Sequence, residues 1–479
     1  MNYGMICFIV GWVMKIEAAL LTLPLLAALY YQEEAGKAFL ITIFLCFFLG
    51  QVLTLKKPKE KTMYTKEGYV AVALGWIVMS ILGAVPFLLT GAITNPVDAL
   101  FETVSGFTTT GASILTDVEV LPKCLLFWRS FTHWIGGMGV LVFLLMILPA
   151  VGGSHMNLMK AESPGPSVGK LVPKVKSTAK ILYGIYIFLS ILQVVLLLLG
   201  KMPLFDALTT TFGTAGTGGF GIHNSSIAGY STYIQVVVTI FMILFGVNFN
   251  VYFLLLGKKV AQAFKCEELR WYLGIITAAV LCIGWNIRGM FGSVGEAMQQ
   301  SAFQVASVIT TTGFSTANFD AWPQVSRTIL VMLMFIGACA GSTGGGIKVS
   351  RFIILAKSLN KEMHQYLHTR GIRKVKLDGK VIEHEVVRAT NVFMTAYIFI
   401  FAVSMLALAF EGTDLVTNFT AVAATFNNIG PGLAKVGPME NFSLFSNPAK
   451  LVLTFDMLAG RLEIFPLLLL FVRDTWKRY

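Results

Sequence analysis

The chain has 479 residues, of which 56% are hydrophobic and only 13% charged, with a formal net charge of +12. Soluble domains carry about a quarter charged residues, so a large soluble domain is excluded, and several stretches exceed the roughly eighteen apolar residues that cross a bilayer as a helix. The positive balance does not point to nucleic acid, because the basic residues lie between apolar stretches, as the positive-inside rule expects.

Alternating ten-residue β patterns are absent, which predicts an all-α polytopic membrane protein, since helices satisfy their own backbone in lipid. The six cysteines, Cys7, Cys46, Cys124, Cys266, Cys282 and Cys339, are scattered and read as small core residues, not as a metal or disulfide framework.

Residues 4–30 and 37–55 are apolar and are separated by Tyr31-Gln32-Glu33-Glu34. They predict a helical hairpin whose first helix is retained, because no small-residue cleavage site follows a short apolar core. A basic loop follows, with Lys56, Lys57, Lys59, Lys61 and Lys66.

From there the chain repeats itself four times. The first unit has a helix at 69–91, a segment from Asp98 to Thr110 too short to span, a break at Gly111, and a helix from Leu125 to Ala150. The second has a helix at 179–200, a half-helix from Asp206, a break at Gly219, and a helix at 231–256. The third has a helix at 271–290, a half-helix at 297–310, Gly313, and an apolar stretch from Thr328 to Leu355. The fourth has a helix at 388–410, a half-helix at 414–426, Gly430, and a helix at 448–472. The key glycines are 108, 94 and 117 residues apart, a period that marks internal repeats. Asp98-Ala99-Leu100 precedes Gly111 by thirteen residues and Asp206-Ala207-Leu208 precedes Gly219 by thirteen, which chooses Gly219 over the adjacent Gly218. The fold expected is four parallel helix–pore helix–helix repeats around a central pore. The boundaries are 1–67 for the hairpin and basic loop, then 68–170, 171–266, 267–380 and 381–479 for the repeats.

Each break has the same character: Thr108-Thr109-Thr110-Gly111, Gly216-Thr217-Gly218-Gly219, Thr310-Thr311-Thr312-Gly313, and Asn427-Asn428-Ile429-Gly430. Backbone carbonyls aimed at one axis can replace the hydration shell of a cation, and the angles they need favour glycine. One such phrase would simply be a helix C-terminal cap; four at equivalent places read as a filter. Its residues are Thr109, Thr110, Gly111, Gly218, Gly219, Thr311, Thr312, Gly313, Asn428, Ile429 and Gly430, with the cation at the four glycines. The half-helices before the breaks would turn their negative ends toward a cation.

Loops 56–67, 152–180, 257–270 and 348–388, with the tail 473–479, hold 27 of the 37 Lys and Arg residues. That side is expected to be cytoplasmic, with both termini inside and the filter opening outward. Ala161–Lys180 reads as a cytoplasmic linker.

In the third repeat, Gly341-Ser342-Thr343-Gly344-Gly345-Gly346 interrupts the apolar run below the filter. Irregular backbone at membrane depth is tolerated where protein or water covers it, so this loop, with Lys348, is a gate candidate. It resembles a phosphate-binding loop only superficially, since Ile347 separates Gly346 from Lys348. Arg461, midway along the last helix, is costly unless it faces a cavity or partner; it is read as a charge at the pore or gate, with an ion pair to Asp456 as the plainer alternative. His364 and His368 have metal-compatible spacing but sit in a basic loop without further ligands, so a solvated face is expected. No catalytic constellation is present, and no enzyme activity or resident cofactor is expected.

These motifs, together with Gly218-Gly219-Phe220, Ala340-Gly341-Ser342-Thr343-Gly344-Gly345-Gly346-Ile347-Lys348 and Gly460-Arg461-Leu462-Glu463, closely resemble the Trk/Ktr/HKT superfamily of potassium transporters over nearly the whole chain. The amino-terminal hairpin resembles the TrkH branch. The resemblance implies one pore per subunit and a homodimer in the bacterial cytoplasmic membrane, surrounded by lipid. It implies filter glycines at Gly111, Gly219, Gly313 and Gly430, with glycine at all four favouring potassium over sodium. It implies a gate at 340–346 and Arg461 below the filter. It also implies a cytosolic TrkA-type regulatory ring that carries the nucleotide sites for ATP/ADP or NAD. Gly213-Thr214-Ala215-Gly216 departs from the family pattern by being smaller and more glycine-rich. A poorly selective potassium/sodium channel and an ion-coupled symporter stand as alternatives.

Overall fold

In the computed structural model, the described residues are 1–58, 64–139, 175–368 and 373–477. They form helices α1 (Tyr3–Leu20), α2 (Thr22–Tyr31), α3 (Gly36–Thr54), α4 (Thr65–Leu89), α5 (Pro96–Phe107), α6 (Lys123–Met138), α7 (Val175–Leu199) and α8 (Leu204–Gly216). There follow α9 (Thr232–Phe245), α10 (Phe249–Leu256), α11 (Val260–Lys265), α12 (Glu267–Asn286), α13 (Val294–Ile309), α14 (Gln324–Ile336) and α15 (Val349–Leu367). The last are α16 (His384–Leu408), α17 (Leu415–Phe426), α18 (Asn447–Arg461) and α19 (Phe465–Leu468). A two-residue hairpin, β1 (Lys376–Leu377) and β2 (Lys380–Val381), departs from the all-helical expectation. Its Asp378-Gly379 turn has φ of +51° and +77°, as a tight two-residue hairpin requires.

Six helical segments among the described residues are long and apolar enough to span a membrane, and a seventh is counted if α9 and α10 form one bent span. Their outer faces expose Phe44, Leu26, Phe188, Phe399 and Leu406, which suits contact with lipid. The chain is a multi-pass helical membrane protein.

Four short helices behave differently. α5, α8, α13 and α17 have 12, 13, 16 and 12 residues. At 1.5 Å per residue they reach about 18–24 Å, short of the roughly 30 Å apolar core of a bilayer. Three start on a side-chain cap: Asn95 accepts from the Val97 amide, Ser293 from Glu296 and Asp414 from Thr417. α8 starts after Pro203 with Asp206 in its first turn. Their amino-terminal ends are therefore capped or acidic, as the helix dipole favours.

At its connecting turn the amino-terminal hairpin is fastened to the first repeat by a carboxylate. Glu33 accepts hydrogen bonds from the Lys123 amide at 2.7 Å and the Cys124 amide at 2.9 Å, the otherwise unpaired donors at the start of α6. Lys123 Nζ sits 4.2 Å over the Tyr31 ring. Glu33→Gln keeps the shape but removes the charge at a helix amino terminus, so it should cost about 1 kcal/mol. A lowered thermal midpoint of the purified protein in detergent checks this; an unchanged midpoint would remove Glu33 as a fastener.

Three of the four long helices predicted after a break are interrupted or cut short, and the first has ended by Gly139. α6 ends at Gly139 (φ +79°). The stretch predicted at 231–256 divides into α9 and α10, bent by 90° at Gly246-Val247-Asn248. The run from Thr328 to Leu355 divides at Gly337–Lys348, with Gly337 at φ +71°. The helix predicted at 448–472 stops at Arg461, and Glu463 and Ile464 have positive φ. The predicted end of the first of these helices, near Ala150, lies outside the described residues. So does the predicted linker up to residue 174, while 175–180 are helical.

Candidate functional site

The carboxy-terminal ends of α5, α8, α13 and α17 converge, and each ends in the same backbone device. A residue in the left-handed region, Thr109 (φ +56°), Thr217 (+56°), Thr311 (+59°) or Asn428 (+55°), is followed two residues later by Gly111 (+81°), Gly219 (+75°), Gly313 (+81°) or Gly430 (+97°). The amide of the residue between them returns to its own helix: Thr110 to Ser105 O at 2.9 Å, Gly218 to Gly213 O at 2.8 Å, Thr312 to Ser307 O at 2.8 Å and Ile429 to Ala424 O at 2.8 Å. These are Schellman closures, and they explain why four different sequences make one shape. The amides are used up by the helix end, while no donor among the described residues reaches the carbonyls of Thr110, Gly111, Gly218, Gly219, Thr312, Gly313, Ile429 or Gly430. Alternating the sign of φ turns successive carbonyls toward the same side.

The four segments touch in a closed cycle. A Cβ on Gly111 would overlap the Gly218 carbonyl oxygen, one on Gly219 the Thr312 oxygen, and one on Gly313 the Ile429 oxygen. One on Gly430 would lie 2.7 Å from the Thr110 oxygen, which returns the cycle to its start. Gly219, not Gly218, occupies the position equivalent to the other three. The four glycines line the floor of a cavity of about 150 Å³ that also receives Arg129, His223 and Asn224. On its rim, hydrogen bonds from the Asn224 side chain and the Glu119 amide hold the Asp117 carboxyl below the usual range, so this carboxylate stays charged.

The bracing around the cycle was not read from the sequence. Glu102, in α5, meets Arg129, in α6, at 2.6 Å, and both are buried. Glu102 also accepts from Ser113 Oγ (3.0 Å) and the Ile114 amide (3.0 Å), fixing the chain beyond Gly111. Arg129 donates to Gly221 O at 2.9 Å and lies 3.6 Å over the Phe220 ring, fixing the chain beyond Gly219. His133 pairs Nδ1 with Gly106 O at 2.7 Å and accepts from the Phe220 amide at Nε2, which defines its tautomer. Opposite charges in two apolar helices were the available signal. Glu102→Gln leaves Arg129 without its counter-charge, at a cost of about 3–5 kcal/mol. The expected result is a sharp loss of folded protein by size-exclusion chromatography; wild-type yield and thermal midpoint would contradict it.

Below the cycle lies the Gly337–Lys348 loop. The Gly345 amide donates to Thr311 Oγ1 at 2.6 Å, and a Cβ on Gly345 would lie 2.7 Å from Asn427 O. Gly341 accepts from the Phe249 amide (3.0 Å), Cys339 donates to Gly246 O (3.1 Å), and Ala340 donates to Glu268 Oε1 (2.7 Å). The interruption between α9 and α10 thus receives the loop. Lys348 is buried and its Nζ donates to Gly344 O. Arg461 donates to Thr343 O (2.8 Å), Gly136 O (2.6 Å) and Gly137 O (2.9 Å), tying the loop to the end of α6. Asp456 Oδ1 accepts from Ser404 Oγ at 2.7 Å, and Glu463 pairs with Arg351. The His364 and His368 rings lie 4.6 Å apart at an interplanar angle of 51°, and no group of three metal-ligating side chains occurs among the described residues. The six cysteines are free thiols.

Half-crossing helices ending on exposed carbonyls, inside a multi-pass bundle, are the features of a cation transport protein. The family model described as "TrkH: Cation transport protein" matches residues 35–283 and 269–478. The chain is 37% identical over 485 residues to the Trk system potassium uptake protein TrkH of Salmonella typhimurium, covering 100% of both chains. It is 36% identical over 489 residues to the TrkH of Vibrio parahaemolyticus, again covering 100% of both. The crystal structure of the potassium transporter TrkH from Vibrio parahaemolyticus superposes with a TM-score of 0.89 at 34% identity, covering 100% of each chain. This chain belongs to the TrkH family, a family of transporters and not of enzymes.

Proposed function

We propose that this protein carries potassium into the cell through the cycle of carbonyls at Gly111, Gly219, Gly313 and Gly430. The observation that carries the reading is the closed cycle itself: four backbone segments in contact, their carbonyls without a donor among the described residues and therefore available to a dehydrated cation. The names of the similar proteins, potassium uptake proteins of a Trk system, support potassium as the ion. The four repeats, with the boundaries given above, surround this axis, and residues 1–67 flank it. The glycine-rich loop with Lys348 and Arg461 obstructs the path below the filter and serves as the gate. The basic face is cytoplasmic, both termini lie inside the cytoplasmic membrane, two chains pair, and a cytosolic nucleotide-binding ring of the TrkA type sets the gate.

Rubidium uptake into proteoliposomes holding the purified chain, with potassium or sodium as competitor, tests this. Potassium should compete far better than sodium; equal competition would leave a pore without selectivity. No uptake with or without the cytosolic ring would overturn the transport reading. A coupled mechanism is favoured by one observation: Asp456 is buried, and its Oδ2 has no donor among the described residues. Uptake that follows an imposed proton or sodium gradient would select that reading.

A further inference from the structure

A second concave site lies away from the filter, between α15, the β1–β2 hairpin and the start of α16. One cavity of about 630 Å³ is lined by Lys357, Lys361, Arg373, Lys374 and Lys376, and by no carboxylate. It adjoins a cavity of about 790 Å³ that shares Lys361, Arg373 and Lys374 and adds Arg388 and His384 from α16, together with the carboxylates Glu362 and Glu383. Lys357 is balanced by Glu267 at 2.5 Å, and Lys361 reaches Glu362 at 3.3 Å. Arg373, Lys374 and Lys376 have no carboxylate partner among the described residues.

Positive-inside topology accounts for basic residues on this side of the membrane. It does not account for their convergence on one hollow, where like charges repel unless an anion sits between them. The hollow has the size of a small-ligand site. The smaller cavity, where the unpaired basic residues gather, carries no aromatic ring on which a base could stack; His384 lines only the larger one. Its height is set by α16, whose apolar outer face is exposed and whose first turns carry Arg388, so the hollow opens at the level of the lipid headgroups.

We propose that this hollow binds a phosphate-bearing anion, of the chemistry shared by an anionic phospholipid headgroup and a free polyphosphate. The inference needs the membrane setting but not the transport reading. The thermal midpoint of the full-length protein is measured in two arms. One compares nanodiscs of phosphatidylglycerol with nanodiscs of phosphatidylcholine. The other adds inorganic pyrophosphate to the protein in neutral detergent.

A rise in midpoint with phosphatidylglycerol, lost at high salt as screening requires, is the expected result. The combined variant Lys361→Gln, Arg373→Gln, Lys374→Gln should weaken half-saturation by about tenfold or more. The charge-keeping Lys361→Arg, Arg373→Lys, Lys374→Arg should retain it. If only pyrophosphate gives this variant-dependent shift, the site stands and its source is the soluble phosphate. A shift in neither arm, or one that the neutral variant leaves unchanged, overturns the proposal. Lys374→Gln alone, weakened severalfold, keeps the test open should the triple variant fail to fold.

Discussion

Gly313→Ser should abolish the advantage of potassium over sodium in competition with rubidium uptake. Gly313 has φ +81°, and its built Cβ would overlap the Ile429 carbonyl oxygen and lie 3.0 Å from Pro431 Cδ. Forcing a side chain into this backbone region costs about 1–3 kcal/mol, and each 1.4 kcal/mol is a factor of about ten. The site would relieve the overlap by swinging a carbonyl off the axis, which removes an ion ligand from one quarter of the cycle. A loss of preference of about 10- to 100-fold follows. Gly412 is the control: it has φ +68° but nothing within 4 Å, so Gly412→Ser carries the strain without touching the cycle. Equal loss in both variants would mean that strain alone is measured. Retained preference in Gly313→Ser would sink the carbonyl filter.

Arg461→Gln should raise basal rubidium uptake about tenfold. The guanidinium donates to three carbonyls on two elements, Thr343 in the loop and Gly136 and Gly137 at the end of α6. A glutamine amide cannot span them, and each buried carbonyl left without a donor costs about 1–3 kcal/mol. The closed arrangement loses that stabilisation while an open one, with water at the carbonyls, does not, so the balance moves toward open. On the proposed path, the same change also removes a positive charge that would oppose a cation. Arg461→Lys keeps the charge but not the fork geometry, and its uptake should fall between the two. A folded Arg461→Gln protein with reduced or unchanged uptake would show that the arginine holds no gate.

The sequence displayed the four breaks because each needs glycine at one position and a residue that tolerates the left-handed region two places earlier. Thr-Thr-Gly and Asn-Ile-Gly both meet that need. The distinction between Gly218 and Gly219 came from register, since composition treats the two alike. The later interruptions were legible only at Gly341–Gly346, where glycine is dense. Residues 231–256 read as one apolar run because the local stop is short: Gly246 closes α9, and Asn248 caps α10 by accepting from the Asn250 amide at 2.9 Å. The 90° bend there is held from outside, by the Cys339 amide on Gly246 O and by Gly341 O on the Phe249 amide. The Glu102–Arg129 brace was hidden for the same reason: its partners lie 27 residues apart on different helices. Signals carried by backbone geometry are local and can be read; those carried by pairing across the bundle cannot.

The contact between Gly430 and Thr110 makes the two ends of one polypeptide neighbours in the cycle. In a ring built from four identical chains, a single genetic change alters every quarter at once, and one faulty chain spoils the ring it joins. Here a change alters one quarter and leaves three. A faulty copy spoils only its own ring, so output in a mixed population should fall in proportion to the faulty fraction and not as a steep power of it. The quarters are also free to diverge in evolution. That freedom is visible in the side chains that follow each helix: threonine at 109, 217 and 311 and asparagine at 428, of which, among the described residues, Thr311 alone is hooked to the loop beneath.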